Sequence, residues 1–588
     1  MAVEKLIVDH IDTWTTALQT RSTAGRGSSG KIDLYGIKKL RELILELAVR
    51  GKLVPQDPND EPASELLKRI AAEKAELVKQ GKIKKPKPLP EISDEEKPFE
   101  LPEGWEWVTL ATVGEIVGGG TPKSDNPQFW AKNGIKWLTP ADLYGLKGKY
   151  ISSGSRDISP AGLSNSSARL MPKGSVLFSS RAPIGYVAIT DAELSTNQGF
   201  KSCVPYIKES AEYIYYFLMA SAKKIDAEAS GTTFKEVSGA IVSKILFPLP
   251  PLSEQLKIVS RANELMSLCD QLEQHSLTSL DAHQQLVETL LTTLTDSLNA
   301  NELAENWARI SEHFDTLFTT EASIDALKQT ILQLAVMGKL VPQDPNDVPA
   351  SELLKRIAQE KAQLVKDGKI KKQKPLPPIS DEEKPFELPD GWEWCLFEDV
   401  VDIQSGITKG RNLANRKLIS IPYLRVANVQ RGYLDLSEVK EIEIPEEEKD
   451  KYHVIKGDLL ITEGGDWDTV GRTTVWCHDW YIANQNHVFK GRIIGQDIDP
   501  YWLETYMNSP YSRDYFASAS KQTTNLASIN KTQLRGCPVA IPPSSEAEKI
   551  MLKLNGFNEL CEKLKLQVQS AQQTQLHLAD ALTDAAIN

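Results

Sequence analysis

Apolar residues recur at helical steps between Ile37 and Val49 (Ile37, Leu40, Ile44, Leu47), which predicts a helix stopped by Gly51. The turn-rich PQDPNDEPAS follows, and then SELLKRIAAEKAELVKQG reads as a second helix, capped by Ser64 and ended by Gly81. Upstream, residues 3–20 read as a short amphipathic helix and STAGRGSSG (22–30) as a flexible linker. The proline- and charge-rich KIKKPKPLPEISDEEKPFELP reads as an extended connector whose lysines are solvated. From 105 to 250 the helical period fades. Short β-like runs (GSVLFSS, GYVAIT) alternate with Gly, Pro, Ser and Asn turns, and one late helix, AEYIYYFLMASAKKIDAEA, precedes FPLPPLSEQ. Ser253 then opens a long helix to about Leu298, carried by Ile258, Leu265, Leu272, Leu280, Val287, Leu291, Leu294 and Leu298. A second mixed region runs from Trp392 to Pro543. The last helix has Ile550, Leu554, Phe557, Cys561, Leu564, Val568 and Ala571 at alternating steps of four and three, continued by Leu578 and Leu582, which is a coiled-coil seam.

Much of this pattern occurs twice. Residues 44–107 and 331–394 align without a gap at an offset of 287, identical at 55 of 64 positions. That period is far too long for a solenoid, whose units run roughly 20 to 50 residues. The long helices are also copies: PPLSEQLKIV (250–259) aligns with PPSSEAEKIM (542–551) at an offset of 292. TLTDSLN (293–299) resembles the C-terminal LTDAAIN, and HFDT (313–316) has its counterpart, HIDT (10–13), at the N-terminus. The last residues followed by the first therefore resemble the middle.

The fold expected is α+β: two mixed α/β domains separated by two long antiparallel coiled-coil helices, with pseudo-twofold internal symmetry and a circular organisation. The segments are an N-terminal helical region with the first repeat copy (1–104), a mixed domain (105–250), a central helix with the second copy (251–391), a second mixed domain (392–543) and a C-terminal helix (544–588).

Composition narrows the class. At 588 residues the chain exceeds one core. No run of about 18 apolar residues exists, and MAVEKLIVDHIDTW is not a secretory signal. Six scattered cysteines without a CxxC pair fit a reducing cytoplasm and no metal site. The tryptophans at 105, 107, 392 and 394 are expected to pack the start of each mixed domain. The sequence has no GxxxxGK[ST], HExxH, GxSxG or GxGxxG, and DNPQFW (125–130) carries Gln128 where an adenine methyltransferase motif has its second proline. No catalytic residue is expected. The net charge of −12 is uneven: residues 108–250 carry +4 and residues 395–543 carry −3, so the acidity lies on helices and connectors. A mildly basic first domain is compatible with nucleic acid.

The turn-rich segments of both domains are stocked with side chains that read base edges and phosphates. Arg and Lys suit guanine, Asn and Gln adenine, Glu and Asp cytosine, and hydroxyls suit phosphates. In the first domain the candidates are Thr121 and Lys123, Ser179 and Arg181, Gln198 and Lys201, and Thr232, Thr233 and Lys235. In the second they are Lys409 and Arg411 in GITKGRN, with Arg425, Asn428, Gln430 and Arg431 in YLRVANVQRG. They continue with Glu463, Asp466 and Arg472 in TEGGDWDTVGR, and Gln485, Asn486 and His487 in NQNH. Thr523, Thr524, Asn525 and Lys531 in QTTNLASINK complete the set. Arg181, Lys201 and Lys235 lead in the first domain, and Arg411, Arg431, Arg472, Asn486 and Lys531 in the second.

Two GW-opened domains, each closing on a PLPPLSEQ-like segment and a long helix, resemble the specificity subunit of type I restriction-modification systems. FSSRAPIGYVAI, TNQGFKS, ANVQRGYLDL and GDLLITEGGDWD resemble segments of its target-recognition domains. The long N-terminal region and extended repeat resemble the type IB, EcoAI-like subclass. The resemblance covers essentially the whole chain. It implies a non-catalytic DNA-recognition subunit in which each mixed domain reads one half of a split double-stranded target. The helices set the spacer and dock two methyltransferase subunits, and restriction subunits join that core. S-adenosylmethionine, ATP and Mg2+ would belong to the partners, and no cofactor or metal to this chain.

The competing reading is a protein-assembly scaffold on a coiled-coil spacer without DNA contact, which the acidic repeated helices suit equally. Salt-sensitive, sequence-selective DNA binding separates the two.

Overall fold

The computed structural model describes residues 3–21, 31–85, 91–229, 235–465, 469–523 and 526–587. The linker expected at 22–30 lies outside them. The chain divides into two compact units, one made of residues 1–279 with 571–588 and the other of 280–570. The C-terminal tail thus completes the unit that the N-terminus begins, as the circular pattern of the sequence implied.

The helices that matter are α1 (Tyr35–Val49), α2 (Ala63–Lys79), α3 (Ala211–Glu228), α4 (Leu252–Asp296), α5 (Glu321–Val336), α6 (Ala350–Lys366) and α7 (Ser544–Ile587). Residues 3–16 form two short helices, Val3–Asp9 and Ile11–Thr16, where one was expected. Gly51 and Gly81 have φ of 68° and 70°, left-handed values that stop α1 and α2. Ser64 does not cap α2. The helix starts one residue earlier, Pro62 holds the cap position, and the Ala63 amide bonds the Gly104 carbonyl at 2.8 Å.

Helix directions follow from contacts within each unit. In the first, Arg41 on α1 meets Asp270 and Glu273 of α4, each at 2.6 Å, and Gln56 beyond α1 meets Glu254 at 2.8 Å. Along the same path Tyr35 bonds Asp580 of α7 at 2.7 Å and Lys52 bonds the Ile587 carbonyl at 2.6 Å. The α4 partners fall in number while the α7 partners rise, so these portions of α4 and α7 are antiparallel. In the second unit, His283 meets the Thr316 carbonyl at 3.1 Å and Lys339 the Thr295 carbonyl at 2.8 Å. Asp325 pairs Lys565 at 2.8 Å and Lys553 bonds the Leu340 carbonyl at 2.9 Å. The portions of α4 and α7 here are again antiparallel. Val287, Leu291 and Leu294 of α4 share one core with Leu327 and Ile331 of α5 and with Ile550, Leu554 and Cys561 of α7.

The repeat is a repeat of contacts. Gln56–Glu254 returns as Gln343–Glu546 at 3.1 Å, Arg41–Asp270 as Lys328–Glu562 at 2.8 Å, and Lys257–Asp60 (3.1 Å) as Lys549–Asp347 at 3.7 Å. The Ser93–Glu96 capping box returns as Ser380–Glu383.

The seam of α7 departs from the strict heptad. Ile550, Leu554 and Cys561 are buried, but Ala571 is exposed, Leu578 is 41% exposed, and Ala579 and Thr583 are buried instead. A straight helix turns every 3.6 residues, so its face drifts about 20° per heptad, and over several heptads the buried row slips by one residue. Leu298 is 91% exposed because α4 ends at Asp296, before it.

Each mixed domain opens and closes on one two-stranded ribbon. Glu106–Thr109 pairs antiparallel with Leu246–Leu249, and Glu393–Leu396 with Pro538–Ile541, with Trp107 opposite Pro248 and Trp394 opposite Ala540. Trp105 and Trp392 are buried at the ribbon's entry, edge-on to Tyr213 and Trp502 respectively. The first domain has a five-stranded sheet in the order Gly114–Gly118, Lys201–Pro205, Val176–Ser180, Ile184–Thr190, Tyr150–Ile151, and a four-stranded sheet around Ile135–Leu138. The second domain's main sheet runs Val401–Gln404, Val488–Ile493, Leu459–Thr462, Thr473–Val475, beside a three-stranded sheet around Leu418–Leu424 and another around Leu526–Ser528. No helix among the described residues is long and apolar enough to cross a membrane.

Candidate nucleic-acid interface

The two mixed domains share almost no side chains, yet their candidate loops hang on one backbone framework. In the first domain Gly120 N–H bonds Thr196 O and Asn197 N–H bonds Leu138 O, both at 2.8 Å. Ser180 N–H bonds Gly199 O at 2.7 Å and Val237 N–H bonds Ser180 O at 2.9 Å. In the second domain the same four bonds are Ile407 to Asn484 at 2.8 Å and, each at 2.9 Å, Gln485 to Leu424, Glu463 to His487 and Ile529 to Glu463. Helix caps repeat too: Ser238 caps a short helix immediately after the framework, as Asn530 does. Gly119 and Gly406 stand at matching points, where a Cβ would meet the Asn197 carbonyl oxygen at 1.9 Å and that of Asn484 at 2.1 Å. Only glycine lets the two loops approach so closely.

On the first framework the structure brings together Thr121, Gln198, Lys201 and Arg181. Thr121 bonds the Gln198 side chain, and the Lys201 ammonium bonds the Gln198 carbonyl at 3.0 Å and Ser180 Oγ at 3.4 Å. Glu236, a residue not singled out in the sequence, ties this cluster together, 3.4 Å from Lys201 and 3.9 Å from Arg181. Lys235 reaches the Asp226 carbonyl at 3.2 Å. Thr121, Gln198 and Lys235 are exposed and Arg181 is half-exposed, so the cluster faces solvent with both donors and acceptors on offer. Lys123 is exposed on the adjoining loop. Ser179 is different: it is fully buried, accepts from the Tyr186 amide at 2.7 Å and donates to the Pro183 carbonyl at 2.8 Å. Its hydroxyl is consumed in shaping the Arg181 turn. Thr232 and Thr233 lie outside the described residues.

On the second framework Glu463 and His487 face each other at 2.6 Å, with Gln485 and Asn486 on the same turn. Gln430 accepts from Arg472 at 2.8 Å, next to the same strand end, since the Thr462 amide bonds the Arg472 carbonyl at 3.0 Å. Arg431 reaches Asn508 at 3.5 Å. Lys409 lies over the Tyr423 ring at 5.2 Å. Two arginines are held by the fold: Arg411 by Glu448 at 2.8 Å and Arg425 by Glu438 at 3.0 Å. The Arg411 hydrogen bond keeps the Glu448 carboxyl below its ordinary range. Asn428 is buried, its amide donating to the Asp435 and Glu438 carbonyls at 2.8 and 3.0 Å, which makes it a framework residue. Lys531 is half-buried, and burial first, then Arg535 and Lys371, lower its pKa. Asp466, Thr524 and Asn525 lie outside the described residues, as does the side chain of Thr523.

No group of three or more His, Cys, Asp or Glu that could hold a metal occurs among the described residues. The geometry offers hydrogen-bonding edges on turns, differently furnished in each domain.

Comparison with known proteins decides the family. The profile described as "Type I restriction modification DNA specificity domain" matches residues 102–282 and 389–570, and so both mixed domains with the first part of the helix after each. The chain is 48% identical to the type I restriction enzyme EcoEI specificity subunit and 49% identical to that of EcoAI, both of Escherichia coli, with all of each chain covered. This chain belongs to the type I restriction-modification specificity family. Within it the chain is EcoAI-like, of type IB, a DNA-recognition and not a catalytic component. Among solved structures, a chain from "Structural basis underlying complex assembly and conformational transition of the type I R-M system" matches with a TM-score of 0.45 at 18% identity, covering 84% of this specificity subunit and 99% of that chain. The HsdS subunit from Thermoanaerobacter tengcongensis matches with a TM-score of 0.38 at 18% identity, over 84% and 98%.

Proposed function

We propose that each recognition domain reads one half of a split DNA target through its loop framework. The observation that carries this is the shared backbone scaffold with unshared side chains. Thr121, Gln198, Lys201, Arg181 and Glu236 in one domain stand where the other has Glu463, Asn486 and His487. One frame with two sets of donors and acceptors suits two unlike half-sites.

In this reading α4 and α7 set a spacer of fixed length. At about 1.5 Å per residue, the 44 residues of α7 are roughly 66 Å long, ample for two sites one DNA turn, about 34 Å, apart. The same helices dock two methyltransferase subunits, and restriction subunits join them, in the cytoplasm. S-adenosylmethionine, ATP and Mg2+ bind those partners, which methylate adenine or cut.

The test is co-expression with the neighbouring methyltransferase gene, followed by mapping of methylated adenines. A split motif with a constant spacer is the expected result. A stable complex with no new methylation would favour an assembly scaffold.

A further inference from the structure

The connector that follows α6 carries Lys371, Lys372 and Lys374. A lysine run is ordinarily a solvated strand of charge, but this one is fastened to the second recognition domain. Arg535 donates to the Lys374 carbonyl at 2.7 Å while its guanidinium holds the Glu398 carboxylate at 2.5 Å. Leu376 lies against Gly536, where a Cβ would meet its Cδ1 at 3.6 Å. The three lysines and Lys531 line one groove with an apolar floor that includes Val365, Ile370 and Val401.

Of the groove's carboxylates Glu398 is neutralised by Arg535, Lys361 stands 4.0 Å from Asp399, and Asp402 keeps its charge and acts on Lys531. Asp399 also accepts from the Leu396 amide at 3.0 Å, and Asp402 from the Gln404 amide at 2.7 Å. Among the described residues, none of Lys371, Lys372, Lys374 and Lys531 has a carboxylate within 4.0 Å. Exposed ammonium groups carried on an anchored backbone beside an apolar floor suit an anionic strand. The groove also joins the reading framework. Lys531 follows Asn530 and Ile529, and the Ile529 amide is the one bonded to Glu463.

We infer that this groove carries the phosphate backbone of the DNA flanking the half-site read by the second domain, so that the connector of the repeat is a DNA-binding element in that unit. The inference rests on the recognition function proposed above. Backbone phosphates, one per about 3.4 Å of helix axis on each strand, suit a row of ammonium groups that leads away from base-reading loops. The first unit carries different side chains at three positions of the groove wall. At the corresponding offsets it has Gly239 for Lys531, Ser243 for Arg535 and Ala111 for Glu398. The protein's grip on DNA is therefore lopsided, with the longer flank on the side of the second half-site.

The test uses the full chain and a duplex carrying the mapped target, with K371Q/K372Q/K374Q as the variant. These three residues are exposed, so their neutralisation leaves the core untouched. The slope of log K against log salt is expected to become shallower by about 2 to 3, at roughly 0.9 per phosphate contact, with preference for the target over a scrambled duplex retained. Methylphosphonates flanking the second half-site should weaken the wild type and leave the variant unaffected. An unchanged slope overturns the inference. So does loss of the methyltransferase subunit on gel filtration with DNA binding intact, which would assign the groove to an acidic protein surface. Failure of the wild type itself to prefer the target would instead remove the recognition reading.

Discussion

The indole N–H of Trp105 donates to the Glu254 carboxylate at 2.9 Å. Trp105 opens the first recognition domain and Glu254 stands in the first turn of α4, so one bond fixes where the domain meets its helix. Gln56 of the repeat adds its amide at 2.8 Å. Glu254 is buried, and burial raises its pKa above the ordinary 4.5 against the pull of Gln56 and Trp105. A carboxyl with a raised folded pKa favours folding most below about 4.5 and loses that contribution as pH rises through the folded value. Glu254→Gln keeps an acceptor and removes the buried charge, so its stability should fall less than the wild type's between pH 4.5 and 7. Glu254→Ala strands the indole and should cost about 1–3 kcal/mol. Urea denaturation of the three proteins at both pH values checks this.

Lys490 is almost wholly buried, and its ammonium donates to the His453 and Lys451 carbonyls at 2.9 and 3.3 Å. Burial, aided by Arg492, pushes its pKa down to about 8 from 10.5. The unfolded chain holds this proton more tightly, so the group's contribution to stability rises with pH between about 8 and 10.5. Denaturation midpoints at pH 7.5 and 9.5 should show a rise in the wild type that Lys490→Met lacks. Equal changes in both would exclude Lys490 as its source.

Framework residues and reading residues should separate in a mutant pair. Asn428→Ala removes a buried side chain that bonds the Asp435 and Glu438 carbonyls and should lower stability by about 1–3 kcal/mol. Lys201→Gln, at the solvent edge of the first framework, should leave stability near wild type. It should relax one target position by about 1–3 kcal/mol, within the first half-site only. Thermal melting and methylation mapping of both variants give the answer.

Adding one helical turn to α4 and α7 together should change the spacer between half-sites while leaving both half-sites intact. Methylation mapping reads both at once, and an unchanged spacer would count against the helices as the ruler.

The scaffold was legible because Ile44–Trp107 is written twice in nearly identical residues and the long helices repeat their opening PP-SE and their Leu-Cys pair at one offset. The recognition framework was not, because its equivalence lies in backbone bonds. Thr196 and Asn484, or Ser180 and Glu463, hold the same positions with unrelated side chains. One trace was available in the sequence: Gly119 and Gly406 are separated by the repeat's own offset of 287. Glu236 left no trace, since a glutamate in a turn-rich segment carries no sign of the two cations it will face. Leu578 misled, because an alternation of three and four assumes 3.5 residues per turn and a straight helix keeps 3.6.

The tail of α7 lies in the unit that the N-terminus begins. On the ribosome, residues 1–279 must therefore wait for residues 571–588, made after the whole of the other unit. Until the stretch from 571 onward emerges, Lys39 has no Asp580 and Lys52 no Ile587 carbonyl. The second unit needs nothing that has not already been synthesised. A chain released before residue 571 would thus have unit 280–570 whole and the earlier unit not.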